Sequence, residues 1–71
     1  MRRTVLIRRI AKAAKHVKVT WVFVRQGGSH EVWSCGAIMV TIPRHREINE
    51  LTAQGIMKDL EAVPGKDWWR N

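Results

Sequence analysis

The most chemically suggestive stretch of the chain is Gly27-Gly28-Ser29-His30. Two glycines remove side chains where a backbone must come close to something bulky, and a hydroxyl and an imidazole follow at once. Phosphate chemistry uses all three. Near neutrality an imidazole can take a proton from a ribose 2′-hydroxyl or return one to a leaving 5′-oxygen. The plainer alternative is a tight turn followed by a surface histidine. A second cluster, Arg44-His45-Arg46, stands just before an expected helix, whose N-terminal dipole favours anions, although Glu47 and Glu50 compete for the same positive end. His45 reads first as a helix-entry residue and second as a proton carrier or phosphate ligand. His16 reads as a surface residue. Three dispersed histidines without paired acids do not make a zinc site. The single cysteine, Cys35, excludes an intrachain disulfide and has no assignable base, and Ser29-His30 has no identifiable acid to complete a triad. Neither a metal nor a cofactor is expected.

These residues need a scaffold, and 71 residues allow one compact domain, here residues 1–71, with a thin margin of stability. Thr4 is a plausible N-cap for a helix over about 4–17, in which Leu6, Ile10, Ala13, Ala14 and Val17 recur at spacings of three and four. The β-branched and aromatic run TWVFVRQ predicts a strand over about 20–26. Gly27-Gly28 reads as a two-residue hairpin loop, which sets Arg25 across the ladder from His30 on a second strand over about 29–34. Ser34-Cys35-Gly36 reads as another tight turn, and AIMVTI as a third strand over about 37–42, closed by Pro43. Asn49 can cap a second helix over about 49–63, carrying Ile56, Leu60 and Val63, and Pro64-Gly65 stops it. The fold class is therefore α+β, in the order α-β-β-β-α. A three-stranded antiparallel sheet with two helices on one face is its economical form, the layout of double-stranded RNA-binding domains (dsRBD-like). Trp21 and Trp33 read as core or sheet-face residues. Trp68 and Trp69, in the tail 64–71, either form an exposed patch for a partner or, in the reading favoured, fold back as a missing piece of core.

Charge narrows the partners. Thirteen basic against six acidic residues leave a net charge of +7, and all six acids lie after residue 30. Arg8, Arg9, Lys12 and Lys15 occupy the first helix outside its apolar stripe, making it the carrier of a field that attracts polyanions. The opening MRRTVLIRRIAKAAKHV has an apolar run of three, too short for a secretory signal; basic, acid-free and amphipathic, it also fits a mitochondrial presequence, and in so short a chain it is read as part of the fold. No apolar run approaches the roughly 18 residues of a membrane span. One cysteine and no export signal fit a reducing, cytoplasmic setting.

VRQGGSH (24–30), then TIPRH (41–45), then INELTAQGIMKDL (48–60) together resemble the HicA family of bacterial toxin ribonucleases. The resemblance implies a dsRBD-like fold, degradation of mRNA with one essential histidine in a Gly-Ser-His motif, and neutralisation by a HicB-like antitoxin. Carried onto Gly28-Ser29-His30, it implies His30 as the catalytic residue. Pro43-Arg44-His45 matches the family's proline, basic residue, histidine step. Three positions depart: Gly27 stands where a lysine or other polar residue is common, Leu51 where a Gly-Thr pair often opens the last helix, and the link between the second and third strands is short.

The expected function is a metal-independent endoribonuclease toxin. His30 is its acid/base, with Gly28, Ser29 and Arg25 at the approaching phosphate. Arg8, Arg9, Lys12, Lys15, Arg44 and His45 bind RNA, and an acidic antitoxin covers the basic face and His30. The rival class is a non-catalytic module that binds RNA or an acidic protein.

Overall fold

Leu6, Ile10 and Ala14 return every four residues along the first helix, and each is almost wholly buried. They line the stripe of α1 (Arg3–His16), the first element of a computed structural model that describes residues 1–63, Gly65 and Trp68. After it come β1 (Trp21–Gly27), β2 (His30–Cys35), β3 (Ile38–Pro43) and α2 (Glu50–Asp59), in the α-β-β-β-α order the sequence predicts. The strands form one antiparallel sheet in the order β1-β2-β3. Cys35, Val40 and Ile42 share one face of it by the two-residue alternation of strands, and they meet the helices in a core completed by Ile48, Ala53, Ile56, Met57 and Leu60. The opposite face carries Val22, Ser34 and Met39 and is uncovered: Val22 is 44% and Met39 56% exposed.

The structure departs from expectation at the turns, where Cys35 ends β2 and Gly36-Ala37 makes the second turn, and at the helix ends. Thr4 does not cap α1: the N-cap is Arg2, which makes no side-chain cap bond. A tertiary contact does part of that work, because the Arg3 amide donates to the Arg46 carbonyl at 2.9 Å. A short bridge between Arg2 and Glu47, and the Ile48 amide on the Met1 carbonyl at 2.7 Å, fasten the same segment. Asn49 does cap α2, its side chain accepting from the Leu51 amide at 2.8 Å. That helix ends at Asp59 rather than near 63. Beyond it Leu60, Glu61 and Val63 each bond three residues back, a tighter winding that continues the turn without the α ladder.

Trp68 folds back as expected, its indole donating to the Met57 carbonyl at 2.8 Å while its ring packs on the core. Trp69 lies outside the described residues. Trp21 and Trp33 stack with ring centroids 4.8 Å apart on the helix-bearing face, and Phe23 meets Trp33 edge-on at 5.8 Å.

The C-terminus of α1 closes in a Schellman arrangement: the Val19 amide reaches the Ala14 carbonyl at 2.8 Å and the Lys18 amide reaches Lys15 at 3.1 Å. That geometry holds Lys18 at φ 61°, where glycine is the usual occupant. Lys18→Gly is therefore expected to stabilise the protein by about 0.5–1 kcal/mol, a rise in melting temperature of several degrees for a chain of this size. Thermal denaturation followed by circular dichroism measures it, and a lower melting temperature would contradict this account of the cap.

Candidate functional site

A two-residue hairpin loop whose first position has positive φ selects glycine there, and Gly28 supplies it at φ 59°. The loop is thus Gly28-Ser29, not Gly27-Gly28, and Gly27 pairs with His30. The shift of one residue moves Arg25 away from the position across from His30: Arg25 pairs with Val32 instead. Parity still places it on the same face as His30, because His30 and Val32 lie two apart on one strand. The guanidinium lies over Gly27, with Nη1 3.4 Å from where a Cβ on that glycine would stand. The register thus differs from the expected one, and Arg25 and His30 share a face of the sheet without standing opposite each other.

An irregularity in β1 makes that neighbourhood compatible with the core. Phe23 pairs with Trp33 and Arg25 with Val32, leaving Val24 as the extra residue of a bulge. In a regular strand, residues 23 and 25 share a face. The bulge separates them, so Trp21 and Phe23 join Trp33 on the helix side while Arg25 joins His30 on the open side.

His30 is the first residue of β2 and is exposed, with Pro43 of β3 opposite it on the other flank. Its Nδ1 is 3.4 Å from the Ser29 Oγ. The Arg44 amide donates to the Ser29 carbonyl at 2.9 Å, which ties the Pro43-Arg44-His45 loop to the tip. Gly28, Ser29, His30 and Arg25 thus come together with the Arg44 backbone, and His45 is exposed one residue farther along. The first-helix cations do not join them. Arg8, Arg9, Lys12 and Lys15 are all exposed, and Arg8, Lys12 and Lys15 oppose the buried stripe, so they point away from the sheet while His30 occupies its other face.

Two residues at this end, Glu31 and Arg3, were given no role by the sequence reading. Glu31 turns its carboxylate to the helix side, only 16% exposed, where Oε1 accepts from the Arg3 guanidinium and from the Trp33 indole at 3.0 Å. Its Oε2 is 3.9 Å from the Arg44 Nε. The available signal was the first acid of the chain, set inside an apolar strand after eight cations. Such a carboxylate is rarely buried without a basic partner.

The family model described as HicA toxin of bacterial toxin-antitoxin matches residues 8–62, from within α1 to beyond α2. The chain belongs to the HicA toxin family. No curated protein and no solved structure matches it. Membership makes the chain a toxin of a toxin-antitoxin pair and implies an antitoxin as partner. Both resemblance-bearing tripeptides, Gly28-Ser29-His30 and Pro43-Arg44-His45, fall inside the matched residues and meet at one end of the sheet. Among the described residues of this HicA chain, no helix is long and apolar enough to cross a membrane.

Cys35 stands apart from this chemistry at the far end of β2, 1% exposed, and burial pushes its thiol above the usual range. The thiolate is the reactive form, so iodoacetamide labelling of the folded protein at pH 7–8 is expected to run at least tenfold slower than in urea. Mass spectrometry of timed aliquots measures both rates. Equal rates would show that the β2 end of the core opens freely.

Proposed function

We propose that this HicA-family chain is an endoribonuclease, with His30 as its proton-transfer group and Arg25 as the cation beside it. The observation that carries the reading is the exposed imidazole at a glycine-led hairpin tip, with the Arg25 guanidinium lying over the neighbouring Gly27. The open face at this end offers little steric obstruction, since Gly27 and Gly28 have no side chains. An RNA backbone can therefore approach closely.

In the proposed reaction His30 takes the proton of a ribose 2′-hydroxyl, and the 2′-oxygen attacks the adjacent phosphorus. The bond to the 5′-oxygen breaks, leaving a 2′,3′-cyclic phosphate, and the imidazolium holds a proton for the departing oxygen. Arg25 stabilises the charge that grows on the non-bridging oxygens, and Ser29 and the Gly28 backbone line the approach. Arg44 and His45 flank the path of the strand. Arg8, Lys12 and Lys15, which face away from the sheet, and Arg9 on the helix flank draw RNA in through their field rather than by contact at the reacting phosphate. The implied antitoxin is HicB-like and acidic, and it neutralises the toxin by covering His30. Such a pair works in the cytoplasm, where mRNA is the substrate.

Replacing His30 by alanine is expected to lower RNA cleavage by about 10²–10⁴-fold, the usual contribution of general acid-base catalysis, and to relieve growth inhibition. RNA affinity and the circular dichroism spectrum should be nearly unchanged. Cleavage in EDTA with labelled single-stranded RNA reads the rate without contribution from adventitious metal. Parental activity in His30→Ala together with loss in His45→Ala would move the chemistry to the Pro43-Arg44-His45 loop. Parental activity in both would overturn the ribonuclease reading.

A further inference from the structure

Glu31 follows the proposed catalytic histidine directly, yet the chemistry above gives it no part. Strand alternation sends its carboxylate to the helix side, where it meets two arginines from distant parts of the chain. Arg3, 21% exposed, is the inner one, and its Nε also donates to the Pro43 carbonyl at 3.1 Å. Arg44 is the outer one, 48% exposed, with its amide on the Ser29 carbonyl. The residue before His30 thus accepts from the Arg44 amide, and the residue after His30 faces its guanidinium as an ion pair at 3.9 Å, beyond hydrogen-bond distance.

We propose that Glu31 is a positioning residue, which draws the Arg44 guanidinium to the helix-side edge of the hairpin tip, where it meets an RNA phosphate neighbouring the one at His30. The inference rests on the ribonuclease reading and adds a residue to it. Glu31 acts through Arg44 and need not touch RNA. An Arg44 anchored by its amide and biased by the Glu31 charge loses less conformational freedom on meeting a phosphate than a free arginine on a loop.

The sign of the effect separates positioning from simple charge. Removing a carboxylate beside a polyanion site tightens binding if only the field matters. Positioning demands the reverse. Glu31→Gln, Arg44→Ala and the double variant are to be compared by fluorescence anisotropy on one labelled single-stranded oligoribonucleotide at fixed salt, with circular dichroism melting to keep every measurement below the transition. Glu31→Gln is expected to weaken binding about fivefold although it adds one unit of positive charge, and in the Arg44→Ala background the same change is expected not to weaken it. Glu31→Asp keeps the charge and draws the carboxylate back by one methylene, so it tests the same point if the glutamine variant does not fold. It is expected to weaken binding about twofold. Tighter or unchanged binding in Glu31→Gln, equal weakening with and without Arg44, or parental affinity in a folded Glu31→Asp would each overturn the inference. RNA binding without this coupling removes Glu31 alone from the site. No RNA binding by the parent protein removes the ribonuclease reading and this inference with it.

Discussion

One carboxylate joins the three parts of the molecule that meet at the hairpin end. Glu31 sits in the middle strand, pairs with Arg3 at the start of α1, accepts from Trp33 and lies within reach of Arg44 beyond β3. A carboxylate this sheltered is tolerated because Oε1 accepts from Arg3 and Trp33 while Oε2 faces the Arg44 cation. The same end is fastened by backbone: Arg3 to Arg46, Ile48 to Met1, and Arg44 to Ser29. The loop of residues 43–48 is consequently wedged between the first helix and the hairpin, and the tip has a fixed neighbour on its β3 side.

The two faces of the sheet divide the labour. On one, the core needs Trp21 and Phe23 against Trp33; on the other, the proposed chemistry needs Arg25 beside His30. The bulge at Val24 lets one strand serve both and also bends an edge strand that would otherwise offer a regular ladder to another chain. The division has an electrostatic consequence. Arg8, Lys12 and Lys15 face away from the sheet while the histidine occupies its other face, so their field acts on the tip from beyond the helix layer and is weakened by salt. Arg25 is the cation that shares the histidine's face, and Arg3 and Arg44 meet at Glu31 on the helix side of the same end.

Small size shows in how the ends of elements are held. Tertiary partners replace what longer proteins often supply with local capping chemistry: the Arg46 carbonyl receives the first amide of α1, and Met57 receives the indole of Trp68. Lys18 sits in a left-handed conformation that glycine fills at lower cost, which leaves stability unclaimed at the C-terminus of α1. The buried cluster is almost entirely aliphatic, with Leu6, Ile10, Ile42 and Leu60 among its best-covered members. The aromatic rings instead form its rim.

Periodicity alone was enough to order the elements, because Leu6-Ile10-Ala14 and the apolar strands carry their burial pattern in their spacing. The Gly28-Ser29-His30 motif was legible for the same local reason: a tight turn needs glycine wherever it occurs, and the residue after the turn must begin a strand. Asn49 capped its helix as read, since a side chain two residues from its target amide answers to local geometry. Thr4 did not, because the groups that complete the start of α1 come from residues more than forty positions away. The register of the hairpin, the bulge at Val24 and the side on which Arg25 emerges were likewise decided by packing, where a slip of one residue reverses every side chain of a strand. Glu31 was invisible as a keystone for the deepest version of that reason. Its meaning lies in Arg3 and Arg44, and no local pattern encodes which distant cations a folded chain will bring to one carboxylate.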